Sequence, residues 1–143
     1  MAPVIQPFMP QLAVSAAIIR DGKVLLMRRA RDPALGLFTL PGGRVEPGET
    51  VLEAVTREIR EETALAIAIA GLAGTHDAIK RDATGHLVHH YVILAFAARW
   101  QGGDVVLNDE HDAYRWLAPA ELGAVATTEG LPAIVDRALA LAR

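Results

Sequence analysis

The chain has no cysteine among its 143 residues, so disulfides, zinc–thiolate sites and cysteine nucleophiles are excluded. That absence fits a reducing compartment, and a cytoplasmic protein is expected. Positive charge is not in excess: 14 Lys and Arg stand against 17 Asp and Glu, a net charge of −3. Proteins that coat nucleic acid are usually basic, so no nucleic-acid partner is expected. Residues 1–19 hold no Lys, Arg, Asp or Glu. A secretory signal wants early positive charge and an unbroken apolar block, whereas Pro3, Pro7 and Pro10 interrupt this segment. The apolar run at 12–19 is too short to span a membrane, so no membrane partner is expected. Residues 1–19 read as an extended lead-in running into a first strand. Repeats, linkers and low-complexity tracts are missing too. With 52% hydrophobic residues, the chain suits one compact domain over 1–143, with nothing left for a second. A homodimer is compatible with this composition.

What is present is a succession of strand-length apolar runs. Residues 12–19 and 23–29 flank Asp21-Gly22, a strong hairpin signal. Residues 33–36 read as a loop and 37–40 as a short strand entering the turn Pro41-Gly42-Gly43. Thr50 with Glu53 three residues later forms the pattern of a capping box. Val51, Val55 and Ile59 then make an apolar stripe that should pack on a sheet, which turns the helix's acidic residues toward loops and solvent. Residues 66–80 and 86–100 read as two long strands joined by a turn at 82–85. Short strands are expected at 105–107 and 114–117, a short helix at Pro119, and a terminal helix at 131–142 with Ile134, Ala138 and Leu141 on one side. Strands mixed with two or three helices predict an α/β sandwich.

The chemistry concentrates between Gly43 and Leu65. Glu58, Glu61 and Glu62 stand at i, i+3 and i+4 and share one helix face. Like charges crowded in this way repel, and a hard divalent cation relieves them. A bare Glu-x-x-Glu-Glu would read as a solvated helix face with an Arg57–Glu61 ion pair. The glycines and Glu49 at fixed spacing favour the metal site. Gly42 and Gly43 after Pro41 shape a tight turn that lets backbone approach a ligand.

The segment resembles the signature of the Nudix hydrolases. Gly43, Glu49, Arg57, Glu58, Ile59, Glu61, Glu62 and Leu65 all match it in type and spacing; Ala64 departs, standing where the family has glycine. The lead-in at 37–43, the hairpin at 21–29 and Arg115-Trp116-Leu117 are similar as well, so the likeness covers residues 12–123. It implies a Nudix-type α/β/α sandwich with a mixed sheet core. It also implies cleavage of a nucleoside diphosphate linked to another group, using Mg²⁺ with Mn²⁺ as a substitute.

Carried over position by position, the resemblance makes Glu61 and Glu62 the main metal ligands. Glu58 is a further ligand or the general base, and the Gly42 carbonyl completes the set. Gly43, Glu49 and Arg57 support the site, the last two by holding each other. Glu110, in Asn108-Asp-Glu-His-Asp-Ala-Tyr-Arg-Trp116, supplies a further carboxylate as ligand or base, with Asp109 and Asp112 competing for the role. Arg28 and Arg29 face opposite sides of their strand end, and resemblance favours Arg29 as the phosphate contact. Adjacent His89 and His90 face opposite ways and cannot easily share a metal. His90-Tyr91 recurs in family members resembling ADP-ribose pyrophosphatases, which points to an ADP-ribose-like substrate. Two rivals are a pyrophosphohydrolase of nucleoside triphosphates and a non-catalytic nucleotide sensor. Ala64 would cost the helix end about 1 kcal/mol if it takes glycine's left-handed conformation.

Overall fold

The structure, a computed structural model, describes residues 9–143; the start of the expected lead-in, with Pro3 and Pro7, lies outside the described residues. The strands are β1 (Gln11–Arg20), β2 (Lys23–Arg29), β3 (Phe38–Thr39), β4 (Gly42–Arg44), β5 (Ala66–Arg81), β6 (Leu87–Gly102) and β7 (His111–Leu117). The helices are α1 (Val51–Thr63) and α2 (Leu131–Leu141), with a 3-10 turn at Pro119–Ala124. Among the described residues no helix is long and apolar enough to cross a membrane.

All seven strands join one mixed sheet. β1 runs parallel to β6, and β6 pairs antiparallel with β5. Alternation along the central strands gives each face its own core. Ala17, Val24, Leu26, Ala95 and Ala97 point to one side, where Leu131, Ile134, Val135 and Ala138 of α2 cover them. Val14, Ala16, Ile18, Leu25, Met27, Phe96 and Ala98 point to the other, under Ala54, Val55 and Ile59 of α1. The result is the expected α/β/α sandwich.

The site is opened by a parting of two strands. Asp21 and Gly22 both take positive φ, 51° and 74°, and close the β1–β2 hairpin tightly. β1 and β2 pair at Ile19–Val24 and Arg20–Lys23 and then diverge. β2 goes on to pair with β3 and β7, while β4 takes the vacated edge of β1 at Ala13–Ser15. Gly42 is required there: a Cβ would collide with the Val14 carbonyl and the Ser15 backbone. The segment expected only as a turn therefore includes a short strand wedged between β1 and α1.

Two other expectations change. Residues 105–107 form no strand; they cross the end of α1, where Val106 N–H donates to the Thr63 carbonyl at 3.0 Å, and Val105 and Leu107 pack on the α1-side core. The terminal helix, expected to run to 142, ends at Leu141, which lies against Gly71 of β5 yet is 41% exposed.

Candidate active site

Helix α1 is the mount. Thr50 Oγ1 accepts from Glu53 N–H at 3.1 Å, fixing the first turn. The last turn closes on Ala64, whose φ of 63° and ψ of 12° are left-handed and whose N–H donates to the Arg60 carbonyl. Between the caps, Val55 and Ile59 are fully buried, so the rotation of the helix is set and its polar residues have defined directions.

Arg57 is the hub of the polar face. It grips Glu49 with two hydrogen bonds, Nε to Oε2 at 2.6 Å and Nη2 to Oε1 at 2.8 Å. Nη2 also donates to the Arg44 carbonyl at the end of β4, and Nη1 donates to Glu58 at 2.8 Å and to Glu61 at 3.3 Å. One guanidinium thus ties the 46–49 turn, β4 and two helix carboxylates together. The Arg57 hydrogen bonds, helped by the Glu46 N–H, hold the Glu49 carboxyl down at about 2. Glu49 in turn raises Arg57 above its ordinary value.

Glu58, Glu62 and Glu110 come together in a cleft of about 1160 Å³ between β1, the 29–34 loop and the β5–β6 hairpin. Of the loops and solvent toward which the acidic residues were expected to turn, Glu62 meets the loops: it is 3% exposed. It accepts from Gly42 N–H at 2.9 Å. Burial first, then the neighbouring Glu110 carboxyl, pushes Glu62 up to about 9. Glu58 is also raised, chiefly by burial, although Arg57 pulls the other way. Gly43 lets Glu58 lie where it does, because a Cβ there would run into the Glu58 carboxyl. Glu61 is placed differently. It is exposed, accepts from Arg57 and lines a neighbouring groove of α1 with Arg57 and Arg60.

Glu110 arrives from the loop before β7. Its N–H donates to Asn108 Oδ1, and its carbonyl accepts from Ala30 N–H at 2.9 Å. Its competitors are occupied: Asp112 pairs with Arg28 and Asp109 with Arg31, each at 2.6 Å. Arg29 lines the cleft, its Nε donating to the Pro33 carbonyl. His76, His89 and Tyr91 line the far end, with His89 and Tyr91 ring centroids 5.5 Å apart.

The donor set suits a divalent cation. Among the described residues no Lys or Arg lies within ion-pair distance of Glu62 or Glu110. A buried carboxylate so crowded takes a proton or a cation, and oxygen donors favour a hard ion.

Comparison with known proteins decides the family. The NUDIX domain profile matches residues 9–137. The chain belongs to the Nudix family. An ADP-ribose pyrophosphatase of Methanocaldococcus jannaschii is 43% identical over 101 residues, 71% of this chain. The match spans only 57% of that protein's length. A CTP pyrophosphohydrolase of Escherichia coli is 34% identical over 118 residues, covering 79% of this chain and 80% of the relative. Among solved structures, a MutT NUDIX hydrolase from Burkholderia pseudomallei superposes with a TM-score of 0.72 at 35% identity, over 94% of this chain and 99% of that one. Nudix hydrolases generally use a divalent metal, and the carboxylate cluster here accords with that.

Within this Nudix chain, sequence reasoning missed three features of the site. His111 packs beside Glu62 and Glu110; its neighbour Glu110 was the only signal. The Arg44 carbonyl binds Arg57, which no side-chain pattern encodes. The far wall with His76 and His89 needs the β5–β6 hairpin set beside β1 by the parallel β1–β6 pairing.

Proposed function

We propose that the chain is a Mg²⁺-dependent pyrophosphohydrolase that cleaves the diphosphate linkage of a nucleoside diphosphate derivative, an ADP-ribose-like molecule in particular. The convergence of Glu58, Glu62 and Glu110, with no cationic partner for Glu62 or Glu110 among the described residues, carries the reading. Glu58, Glu61, Glu62 and the Gly42 carbonyl would hold the ion, with Mn²⁺ able to replace it. Glu61 joins by leaving Arg57, a move open to an exposed side chain. A bound divalent ion neutralises phosphate oxygens and acidifies water.

The chain's own groups do the rest. Arg57 orients Glu58 and is itself fixed by Glu49. Glu58 and Glu110 both line the cleft, and one of the two removes the proton of the attacking water. Arg29 meets a phosphate oxygen. The single domain spans 1–143 in this reading. The cleft exceeds the roughly 300–1,000 Å³ of ordinary ligand pockets, which suits a substrate extended on both sides of its diphosphate. The 43%-identical ADP-ribose pyrophosphatase supports the same substrate class.

The CTP pyrophosphohydrolase relative favours a second reading, hydrolysis of a nucleoside triphosphate. A nucleotide panel with Mg²⁺, read by product identity, separates the two. ADP-ribose should give AMP and ribose 5-phosphate; a triphosphate would give a monophosphate and pyrophosphate. Glu62→Gln should abolish turnover. Binding without hydrolysis across the panel would overturn both readings and leave a nucleotide sensor.

A further inference from the structure

The carboxylates account for an oxygen-ligated ion but leave His111 without a task. It opens β7, opposite Arg29 at a bulge in the β2–β7 pairing. It is 4% exposed, and its Nδ1 is buried without a hydrogen-bond partner. An unpartnered buried polar atom is costly and calls for an explanation. A ring nitrogen of His111, one oxygen of Glu62 and one of Glu110 all lie within 4.8 Å of one another. Donors held about 2.0–2.2 Å from one ion stand at most about 4.4 Å apart, so side-chain shifts of about half an ångström or less would bring all three onto a single ion.

The geometry points to a mixed nitrogen–oxygen cation site in which His111, Glu62 and Glu110 together ligate a divalent transition metal. The inference rests on the reading of this cleft as a metal site and adds a ligand to it. Its consequence is metal choice. Magnesium holds to oxygen donors; imidazole suits ions such as Zn²⁺ or Ni²⁺, and Mn²⁺, itself at home among carboxylates, accepts an imidazole more readily than Mg²⁺ does. The chain should therefore prefer Mn²⁺ to Mg²⁺ by more than an all-carboxylate site would.

The test is spectroscopic and needs no turnover. Mn²⁺ is bound to the wild-type protein, and electron spin echo envelope modulation is recorded with natural-abundance and ¹⁵N-histidine-labelled chains. A directly bound imidazole gives nitrogen modulation that changes with the label. In His111→Gln the signal should vanish. The ratio of Mn²⁺ to Mg²⁺ affinity by calorimetry should fall by about tenfold or more. The wild-type spectrum stands alone if the variant fails to fold. Mn²⁺ bound with no nitrogen modulation would overturn the His111 ligand and leave the carboxylate site intact. Modulation that survives in His111→Gln would assign the nitrogen to another histidine and overturn it equally. No Mn²⁺ binding at all would sink both this inference and the metal-hydrolase reading.

Discussion

At the scale of single residues, two small side chains are under opposite constraints. Ala64 sits where its Cβ is unwelcome, with φ at 63°. The left-handed conformation costs a non-glycine residue about 1–2 kcal/mol. Glycine would recover that and lose about 0.4–1 kcal/mol through a freer unfolded chain. Ala64→Gly should thus stabilise by about 0.5–1 kcal/mol, raising Tm by about 2–3 °C in a calorimetric scan with activity unchanged. A lower Tm would show that the left-handed turn carries no strain. Gly43 is the converse, since its φ lies outside the left-handed region and only space excludes a side chain. In Gly43→Ala the new methyl must displace the Glu58 carboxyl. Turnover should drop by about a hundredfold, as for a misplacement of about 1 Å, with the far-ultraviolet circular dichroism unaltered.

At the scale of elements, α1 works as a bracket. Its buried stripe fixes rotation, its caps fix length, and Arg57 fixes the 46–49 turn and β4 to it. Arg57→Lys keeps the charge but loses the planar fork that spans Glu49 and the Arg44 carbonyl. We expect kcat to fall about 10- to 100-fold, the range seen when groups orienting a site are removed, with little change in KM. A fall in KM affinity without loss of kcat would place Arg57 on the substrate instead. The Glu49–Arg57 pairing was implied only by the family resemblance, but much of this bracket was legible in the sequence, because Thr50 and the apolar stripe are local patterns with local causes. The β1–β2 hairpin was legible for the same reason, through Asp21-Gly22. β4 was not, since Gly42 and Gly43 have no side chains to pattern and are strand residues only because β1 offers an edge. Residues 105–107 are a β-branched apolar run of the kind strands use, but they find the end of α1, where Val105 and Leu107 seal a core without a ladder.

At the scale of the whole molecule, the site is a charge burden that the fold carries. The sequence showed three carboxylates on one turn but not which of them would be buried. That depends on Gly42 of β4 approaching Glu62 and on the 108–111 loop bringing Glu110 over it, contacts between segments far apart in the chain. The consequence is a defined dependence of stability on pH. Glu62 ionises near 4.5 when unfolded and near 9 when folded without a cation. Between those values the native state holds a proton that the unfolded chain has released, so stability falls as pH rises. Glu58, also raised by burial, adds to the same slope. In the presence of a chelator, the wild-type Tm should therefore decline from about pH 5 toward pH 9. Glu62→Gln should flatten most of that decline, leaving the part due to Glu58, and should melt higher than wild type at pH 8. Adding Mn²⁺ or Mg²⁺ should reverse the order. The cation replaces the proton on Glu62, stabilises the wild type more at higher pH, and does little for the variant. A wild-type Tm that climbs across this range with the chelator present would mean that the Glu62 charge is already compensated within the fold. The cleft would then have no need of a cation.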